Sequence, residues 1–336
     1  MKLIIQIPCL NEEATLPVTI SDIPREIEGI DKVEILIIDD GSSDNTIEVA
    51  KSLGVDHIVR FPKNKGLAEA FKAGIDASLK LGADIIVNTD ADNQYKGSDI
   101  PKLIAPIING EYDMIIGDRK TDKIPHFSKI KKFFQRFGSS VVRRLSQTDV
   151  PDTTSGFRAY SRDAALRLNI VSEFTYTLET IIQAGHKKLA VGHVEIGTNG
   201  KLRESRLFKG ITNYMRRSAK TIIRIYTMYR PMKVFVLAGG FSLFVGLLLG
   251  LRFLYFYASG SGNGHIQSLI LAAVLMIVGF QLGTLGVIAD LISNNRKLLE
   301  EALYRVRKIE LSQPINMDDN YESNTQPIKE SKKQIS

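Results

Sequence analysis

Two long apolar segments near the C-terminus constrain this chain more than anything else in it. Residues 234–256 make a run of about 23 and residues 268–288 one of about 21, each enough to cross a hydrocarbon core as a helix. Between them, YASGSGNGHIQS contains no Lys or Arg. Basic residues are dense before the first segment and return after the second, at Arg296, Lys297, Arg305, Arg307 and Lys308. The positive-inside rule then predicts two transmembrane helices within 234–292 and a short non-cytoplasmic loop at 257–267, with the N-terminal part and the tail cytoplasmic. Arg252, near the far end of the first span, can snorkel outward. Gly239, Gly240, Gly246, Gly250, Gly279, Gly283 and Gly286 permit close packing of the spans, and of subunits up to a tetramer, without requiring it. The tail, 293–336, is polar and aperiodic from about residue 313, where disorder is expected.

The net charge of +7 over 336 residues points to a polyanionic partner: nucleic acid, an anionic membrane surface or a phosphorylated substrate. The charge decides among them by its position. Residues 201–233 form a basic stretch in which Arg217, Lys220 and Arg224 share a helix face, with Ile222, Ile223 and Tyr226 interleaved. A solvated helix is the plain reading. Beside two spans, an amphipathic helix in the membrane interface is the sharper one, and phosphate-bearing lipid is a simpler partner than nucleic acid. Cys9 is the single cysteine, so there is no intrachain disulfide and no cysteine cluster for zinc. The opening MKLIIQIPCLNEE has one lysine and too short an apolar core for a secretory signal.

Residues 1–200 alternate two kinds of pattern. Short runs rich in Ile and Val occur at 3–7, 34–38, 58–61, 85–89 and 114–116. Helical patterns lie between them at 13–20, 46–53, 66–81 and 100–109. Continuously apolar strands suit a sheet buried on both faces, and strand–helix alternation suits parallel βαβ units. The ligand site is then expected at the carboxyl ends of the strands.

Those ends are polar in sequence after sequence. The first reads IPCLNEE, with Asn11 and Glu12 opening a helix. The second reads IIDDGSSDNT, with Asp39 and Asp40 before a Gly41 turn. The third, FPKNKGLAEAFKAG, is a basic loop opening a helix whose free amides suit an anion. The fourth, IIVNTDADNQY, places Asp90 and Asp92 two apart, on one face if the strand continues. Two carboxylates there repel unless a cation joins them; a solvated turn capping the next helix is the alternative. The fifth reads IIGDRK and ends in Arg119. A turn explains any one of these, but a ligand site explains the series. Carboxylates at that edge can accept hydrogen bonds from ribose and a base, and Asp90 with Asp92 can hold Mg²⁺ or Mn²⁺ against phosphate oxygens. Neither GxxxxGK[ST] nor a GxGxxG at the first strand turn is present.

The ordered set IPxxNEE, IDDGSSDNT, DADNQ, GDR and TSGFRAYSR resembles family 2 glycosyltransferases of the GT-A fold, and among them the dolichyl- and polyprenyl-phosphate sugar synthases. The similarity spans roughly residues 1–206, and the paired C-terminal spans match the membrane-anchored members. The resemblance implies an α/β domain with a mostly parallel, Rossmann-like sheet over 1–200. It implies nucleotide-sugar contacts from Pro8, Leu10, Asn11, Glu12, Asp39, Asp40, Asp90, Ala91, Asp92, Arg119 and Arg206. It implies metal binding by Asp92, Gln94 and Asp90, acceptor contacts from Ser128, Lys131, Ser155 and Arg158, and catalytic roles for Asp92, Arg119 and Arg158. Residues 122–150 fall on the family's acceptor segment, where phenylalanines mix with lysines and arginines. Three departures stand out. Gly-Asp-Arg replaces the usual Gly-Ser-Arg, so Asp118 bears on how Arg119 points. Asn93 stands where Leu is common. The arginine that relatives carry before Glu204–Arg206 falls on Gly200, with Lys201 and Arg203 nearby.

The resemblance implies inverting transfer of a sugar from a UDP- or GDP-sugar to a polyprenyl phosphate, with Mg²⁺ or Mn²⁺. A phosphate acceptor is already anionic and needs no strong base, whereas a hydroxyl acceptor does. Glu179 is the candidate base should the enzyme instead glycosylate a hydroxyl in a lipid-linked glycan or cell-envelope polysaccharide. A nucleotide-binding scaffold without catalysis is the third reading, and the intact DAD, Arg119 and TSGFR speak against it. His126, His186 and His193 lack metal-ligand spacing.

Overall fold

The continuous apolar runs form β1 (Lys2–Cys9), β2 (Lys32–Asp39), β3 (His57–Arg60), β4 (Ile85–Asn88) and β5 (Met114–Asp118). Two further strands, β6 (Arg158–Ser161) and β7 (Val191–Glu195), complete a seven-stranded sheet of order β3-β2-β1-β4-β6-β5-β7. The structure, a computed structural model, describes residues 1–120, 139–143, 145–171, 176–200, 211–260 and 262–312. β1 pairs in parallel with β2 and β4, β2 with β3, and β5 with β7. β6 runs antiparallel to both β4 and β5, the one departure from a parallel sheet.

Alternate residues of β1 feed opposite faces, as the period of two requires. Ile4 joins Leu36, Ile38, Phe71 and Ile75 beneath α3 (Leu67–Lys80); Leu3, Ile5 and Ile7 join Ile35, Ile37, Leu103 and Ile104 beneath α4 (Ile100–Ile108). Each helix runs back from a strand's carboxyl end, so the loops that begin α1 (Leu16–Ser21), α2 (Thr46–Ser52) and α3 gather at one edge. α1 starts at Leu16 rather than near Glu13, because residues 12–15 form a turn in which Glu12 O accepts the Thr15 and Leu16 amides. The strand β1 also runs past the apolar run of 3–7, through Pro8 to Cys9.

After β6 come α5 (Arg162–Arg167), α6 (Tyr176–His186) and β7, then α7 (Ile211–Tyr229), α8 (Pro231–Ala258) and α9 (Ile266–Glu310). α8 and α9 contain the two apolar segments and are long and apolar enough to cross a membrane. Gly239 and Gly279 bring them together: a Cβ on Gly239 would lie 2.7 Å from Gly279 O, and one on Gly279 2.8 Å from Gly239 O. Gly246 and Gly286 also pack within this hairpin, whereas Gly240, Gly250 and Gly283 face open space.

α9 does not stop at the end of its apolar run. Its 45 residues span about 67 Å, more than twice a hydrocarbon core. The far end returns to the N-terminal domain. Tyr304 Oη donates to Asp163 Oδ1 (2.6 Å), and Arg307 Nη1 donates to Leu166 O, Leu168 O and Asn169 Oδ1, closing the C-terminus of α5. The first part of the tail is thus a helix docked on the N-terminal domain as far as Glu310; residues 313–336, where disorder was expected, lie outside the described residues.

At the opposite end of the sheet, Glu34 joins β2 to its neighbours. Its buried carboxylate meets Lys2 Nζ (2.8 Å), Lys32 Nζ (2.6 Å) and His57 Nε2 (2.8 Å). Burial alone would raise its pKa, but the hydrogen bonds from Lys2, Lys32 and His57 bring it down to about 2. A depressed acid stabilises the fold above its unfolded pKa and loses that contribution as pH falls through the folded one. Glu34→Gln is therefore expected to lower stability at pH 7 by about 2 kcal/mol. It should also remove the part of acid destabilisation between the ordinary glutamate range and about 2. Urea melts of both proteins across that range check this.

Candidate active site

The ends of β1 and β2 are tied into one rim. Asp40 N–H donates to Cys9 O (2.9 Å), Asn11 N–H to Ser42 Oγ (2.9 Å), and Ser43 N–H to Asn11 Oδ1 (2.8 Å). Asn11 adopts a left-handed φ of 55° to make both contacts. Glu12 N–H donates to Thr46 Oγ1 (2.8 Å), and the Glu12 carboxylate accepts from the Thr15 hydroxyl (2.6 Å). Pro8 is buried opposite Ile38, and Leu10 is half-buried at the rim.

Asp39 and Asp40 have different duties. Both oxygens of Asp40 accept backbone N–H groups, from Lys65 (2.7 Å) and Gly66 (2.9 Å) at the start of α3. Burial pushes the Asp40 carboxyl up against the pull of those two amides. The amides at the start of α3, expected from the basic loop to suit an anion, are thus taken by this side chain, and Asp40 fixes the loop's shape. Gly41 makes this possible: at φ 75°, any Cβ there would sit 2.6 Å from the Lys63 carbonyl carbon. Asp39 is fully buried; its Oδ1 accepts Ser42 N–H (3.0 Å), while Oδ2 takes no hydrogen bond and has Arg60 Nε at 3.4 Å.

Beyond β4 the chain turns through Asp90, Ala91 and Asp92. Ala91 O accepts the Thr19 hydroxyl from α1 (2.9 Å). Asp92 accepts Gln94 N–H (3.2 Å) and the Gln94 carboxamide (2.6 Å), helped by a left-handed Asn93. Beneath them lies a buried polar chain. Gln6 Nε2 donates to Asn88 Oδ1 (2.8 Å), and Asn88 Nδ2 donates to Gly156 O (2.9 Å) and Tyr176 Oη (2.8 Å). Gly156 is needed here: a Cβ would lie 3.0 Å from Tyr176 Oη and 3.2 Å from Asp90 Oδ1.

Arg119 closes the arc. Its Nε and Nη2 grip Asp152 in a bidentate pair (2.7 and 3.0 Å), and Nη2 also donates to Thr154 Oγ1 (3.0 Å). The guanidinium lies 5.8 Å from the Tyr95 ring centre, and Tyr95 Oη accepts Gly156 N–H (2.9 Å). Burial opposes the charge on Arg119, but Tyr95, Asp152 and Asp90 outweigh it and hold the pKa above its ordinary value. Burial likewise opposes the Asp152 carboxylate, and Arg119 holds it below the usual range. Asp118 does not disturb the pair: its carboxylate folds back onto Lys120 N–H (2.9 Å).

Other expected residues fall elsewhere. Arg158 is fully buried, donating to Ser155 O, Thr177 O, Thr180 Oγ1 and Thr153 O. The guanidinium thus ties together the backbone of residues 153–155 and the start of α6, behind the turn that bears Asp90 and Asp92. Ser155 is buried, and its Oγ has no hydrogen-bond partner. Glu179 is also fully buried, accepting Val171 N–H (3.1 Å) and the Gln183 carboxamide (3.1 Å). Ser128, Lys131 and Arg206 lie outside the described residues. The sequence reading missed Tyr95, Asp152, Thr154 and Asn88. Asp152 was within reach of it, standing just before TSGFR where an inward arginine needs a counter-charge.

Asp92, Gln94 and Asp90 supply hard oxygen donors at one turn, a chemistry that fits Mg²⁺ or Mn²⁺. Among the described residues no group of three or more His, Cys, Asp or Glu forms a complete cage. A cation here would take its remaining ligands from substrate phosphates and water.

Residues 4–168 match the family model described as glycosyl transferase family 2. The chain is 30% identical over 267 residues to the UDP-N-acetylglucosamine–dolichyl-phosphate N-acetylglucosaminyltransferase of Methanococcus voltae, covering 72% of this chain and 93% of that protein. It is 30% identical to the dolichol-phosphate mannosyltransferase of Pyrococcus furiosus, over 64% of this chain and 62% of that one. A solved structure of glucosyl-3-phosphoglycerate synthase from Mycobacterium tuberculosis, in complex with Mn²⁺, UDP-glucose and phosphoglyceric acid, superposes with a TM-score of 0.53 at 20% identity. That match covers 67% of this chain and 78% of the other, and it establishes the GT-A fold. The chain belongs to glycosyltransferase family 2 and is a glycosyltransferase.

Asp152→Ala leaves Arg119 without its counter-charge in a part-buried site. We expect a loss of about 3 kcal/mol in unfolding free energy. Arg119→Ala combined with Asp152→Ala should recover part of that loss; a double-mutant cycle in denaturant measures it.

Proposed function

We propose that the protein transfers a sugar from a UDP- or GDP-sugar to the phosphate of a polyprenyl phosphate, with inversion at the anomeric carbon. The observation that carries the acceptor class is Glu179. This carboxylate, the candidate base for a hydroxyl acceptor, is buried and engaged by Val171 N–H and Gln183. A phosphate acceptor needs no such base. The names of the two archaeal relatives, with dolichyl- and dolichol-phosphate acceptors, support the same reading.

Asp39 Oδ2, buried and without a hydrogen bond, suits a base or ribose donor, with Pro8, Leu10, Asn11 and Glu12 forming the wall around it. Arg119 uses Nε and Nη2 for its bonds to Asp152 and Thr154, and among the described residues Nη1 takes no hydrogen bond, so it is the nitrogen offered to the leaving diphosphate. A divalent cation held by Asp92, Gln94 and Asp90 supplies charge neutralisation to that diphosphate when bound. A phosphate oxygen of the acceptor bonds to the anomeric carbon as the bond to the diphosphate breaks, and the electron pair leaves with the nucleoside diphosphate. Displacement from the far side inverts the configuration. Residues 122–150, with Ser128 and Lys131, are the acceptor segment in this reading.

α8 and α9 act as membrane spans. Their outward faces are apolar, with Leu237 76% and Phe280 73% exposed. The contact of Tyr304 with Asp163 brings the end of α9 to the catalytic domain, which supports both lying on one side, and the basic flanks favour the cytoplasm for it.

The test uses purified protein in detergent with Mg²⁺ or Mn²⁺, undecaprenyl or dolichyl phosphate, and a panel of UDP- and GDP-sugars. Nucleoside diphosphate release and a sugar–phosphate–lipid mass are expected for one donor, with Asp92→Ala at least about a hundredfold slower. Donor binding with no transfer to lipid phosphate across the panel would contradict the reading.

A further inference from the structure

A cavity of about 530 Å³ opens where α6 ends against the base of the α8–α9 hairpin. His186 and Lys187 border it from α6, Arg230 and Lys233 from the α7–α8 junction, and Lys297 from α9; Asp290 and Glu300 are its two carboxylates. Glu300 is already neutralised, by Lys187 Nζ (3.0 Å) and Arg296 Nη2 (2.6 Å). Arg296 lies over the Tyr229 ring at 4.4 Å and donates to its hydroxyl (2.7 Å). The lining is therefore cationic on balance.

Several donors there lack acceptors. The side chains of Arg230 and Lys233 make no hydrogen bond or ion pair with the described residues. His186 Nε2, in the lining, is buried with no hydrogen-bond partner among the described residues, and Arg296 Nη1, behind the Glu300 pair, likewise has none. His186 stacks on Tyr229 with ring centres 4.6 Å apart. Burial, then Arg230, Lys297 and Arg296, bring its pKa down to about 4, so the ring is neutral near pH 7. Arg230 and Lys233, lining cations without a carboxylate partner among the described residues, beside Lys187 and Lys297, call for an anion with several acceptor oxygens.

Position selects the source of that anion. The cavity lies where the apolar run of α8 begins and that of α9 ends. Val236 and Leu237, one turn beyond Lys233, and Ile288, Leu291 and Ile292, around Asp290, expose apolar surface on which acyl chains can lie. The catalytic site is elsewhere. α6 carries Tyr176 under Asn88 at its start and His186 at its end, about 15 Å further along.

We infer that this cavity binds the phosphate headgroup of an anionic phospholipid, distinct from the acceptor lipid, clamping the catalytic domain to its membrane stem. Lys187 and His186 belong to the domain and Arg230 and Lys233 to the stem, so one headgroup bridges both. The inference rests on the reading of α8 and α9 as membrane spans.

The test reconstitutes the full chain and an Arg230→Gln/Lys233→Gln variant into nanodiscs of equal phosphatidylglycerol and phosphatidylcholine. Lipid retained after extraction is counted by native mass spectrometry. The wild type should retain phosphatidylglycerol selectively. The variant, monodisperse by size exclusion, should lose about tenfold or more of it, the scale set by two juxtamembrane cations. Arg230→Lys/Lys233→Arg should keep it. Equal retention of both lipids by the wild type, or undiminished phosphatidylglycerol in the glutamine variant, overturns the inference. Displacement of the lipid by equimolar inorganic phosphate also overturns it, in favour of a soluble-phosphate site. A chain that does not enter nanodiscs overturns both this inference and the membrane reading; one that enters without lipid preference overturns this inference alone.

Discussion

Arg119 must hold a positive charge at the end of β5, where a diphosphate would lie, in a place largely closed to water. A guanidinium left alone there would be costly, because desolvation penalises an unpaired charge by several kcal/mol. Asp152 removes that cost with two hydrogen bonds whose planar geometry leaves Arg119 little freedom. The pair also joins β5 to the segment that leads into β6. That segment carries Gly156, whose carbonyl meets Asn88 and whose amide meets Tyr95. One ion pair thus sets the register between the cationic side of the site and the turn bearing Asp90 and Asp92.

The first five strands were legible because they are buried on both faces and read as unbroken apolar runs. Their polar ends were legible for the converse reason: acidic or basic groups in every one of five successive strand-end loops are hard to explain by turns alone. β6 was hidden by its own composition. It begins with Arg158, which no strand pattern favours, and the fold accommodates it only because four backbone and hydroxyl oxygens surround the guanidinium. β7, VGHVE, has one fully buried position and so lacks an apolar run. The same limit explains Asp40 and Glu179. A sequence shows that a carboxylate is present, but not whether a backbone amide distant in the chain has already taken it.

The two long apolar helices were plain from the length of their runs, and the extension of α9 was not. Its partners, Asp163 and the carbonyls of Leu166 and Leu168, lie about 140 residues earlier. The consequence is mechanical. The α8–α9 hairpin and the N-terminal domain are joined by the chain through α7 and again by the returning end of α9, so the domain is held at two points. An enzyme whose acceptor is confined to the bilayer benefits from such restraint, because a fixed height and tilt reduce the orientational search at each encounter.

The account stands or falls on a reaction that needs no protein base. The most direct measurement is the turnover of Glu179→Gln with polyprenyl phosphate as acceptor, its fold verified by thermal unfolding. Glutamine keeps the shape and can still accept from Val171 N–H, so activity within a few-fold of wild type is predicted. A folded Glu179→Gln protein that has lost about a thousandfold or more in rate would identify a general base and contradict the phosphate-acceptor mechanism.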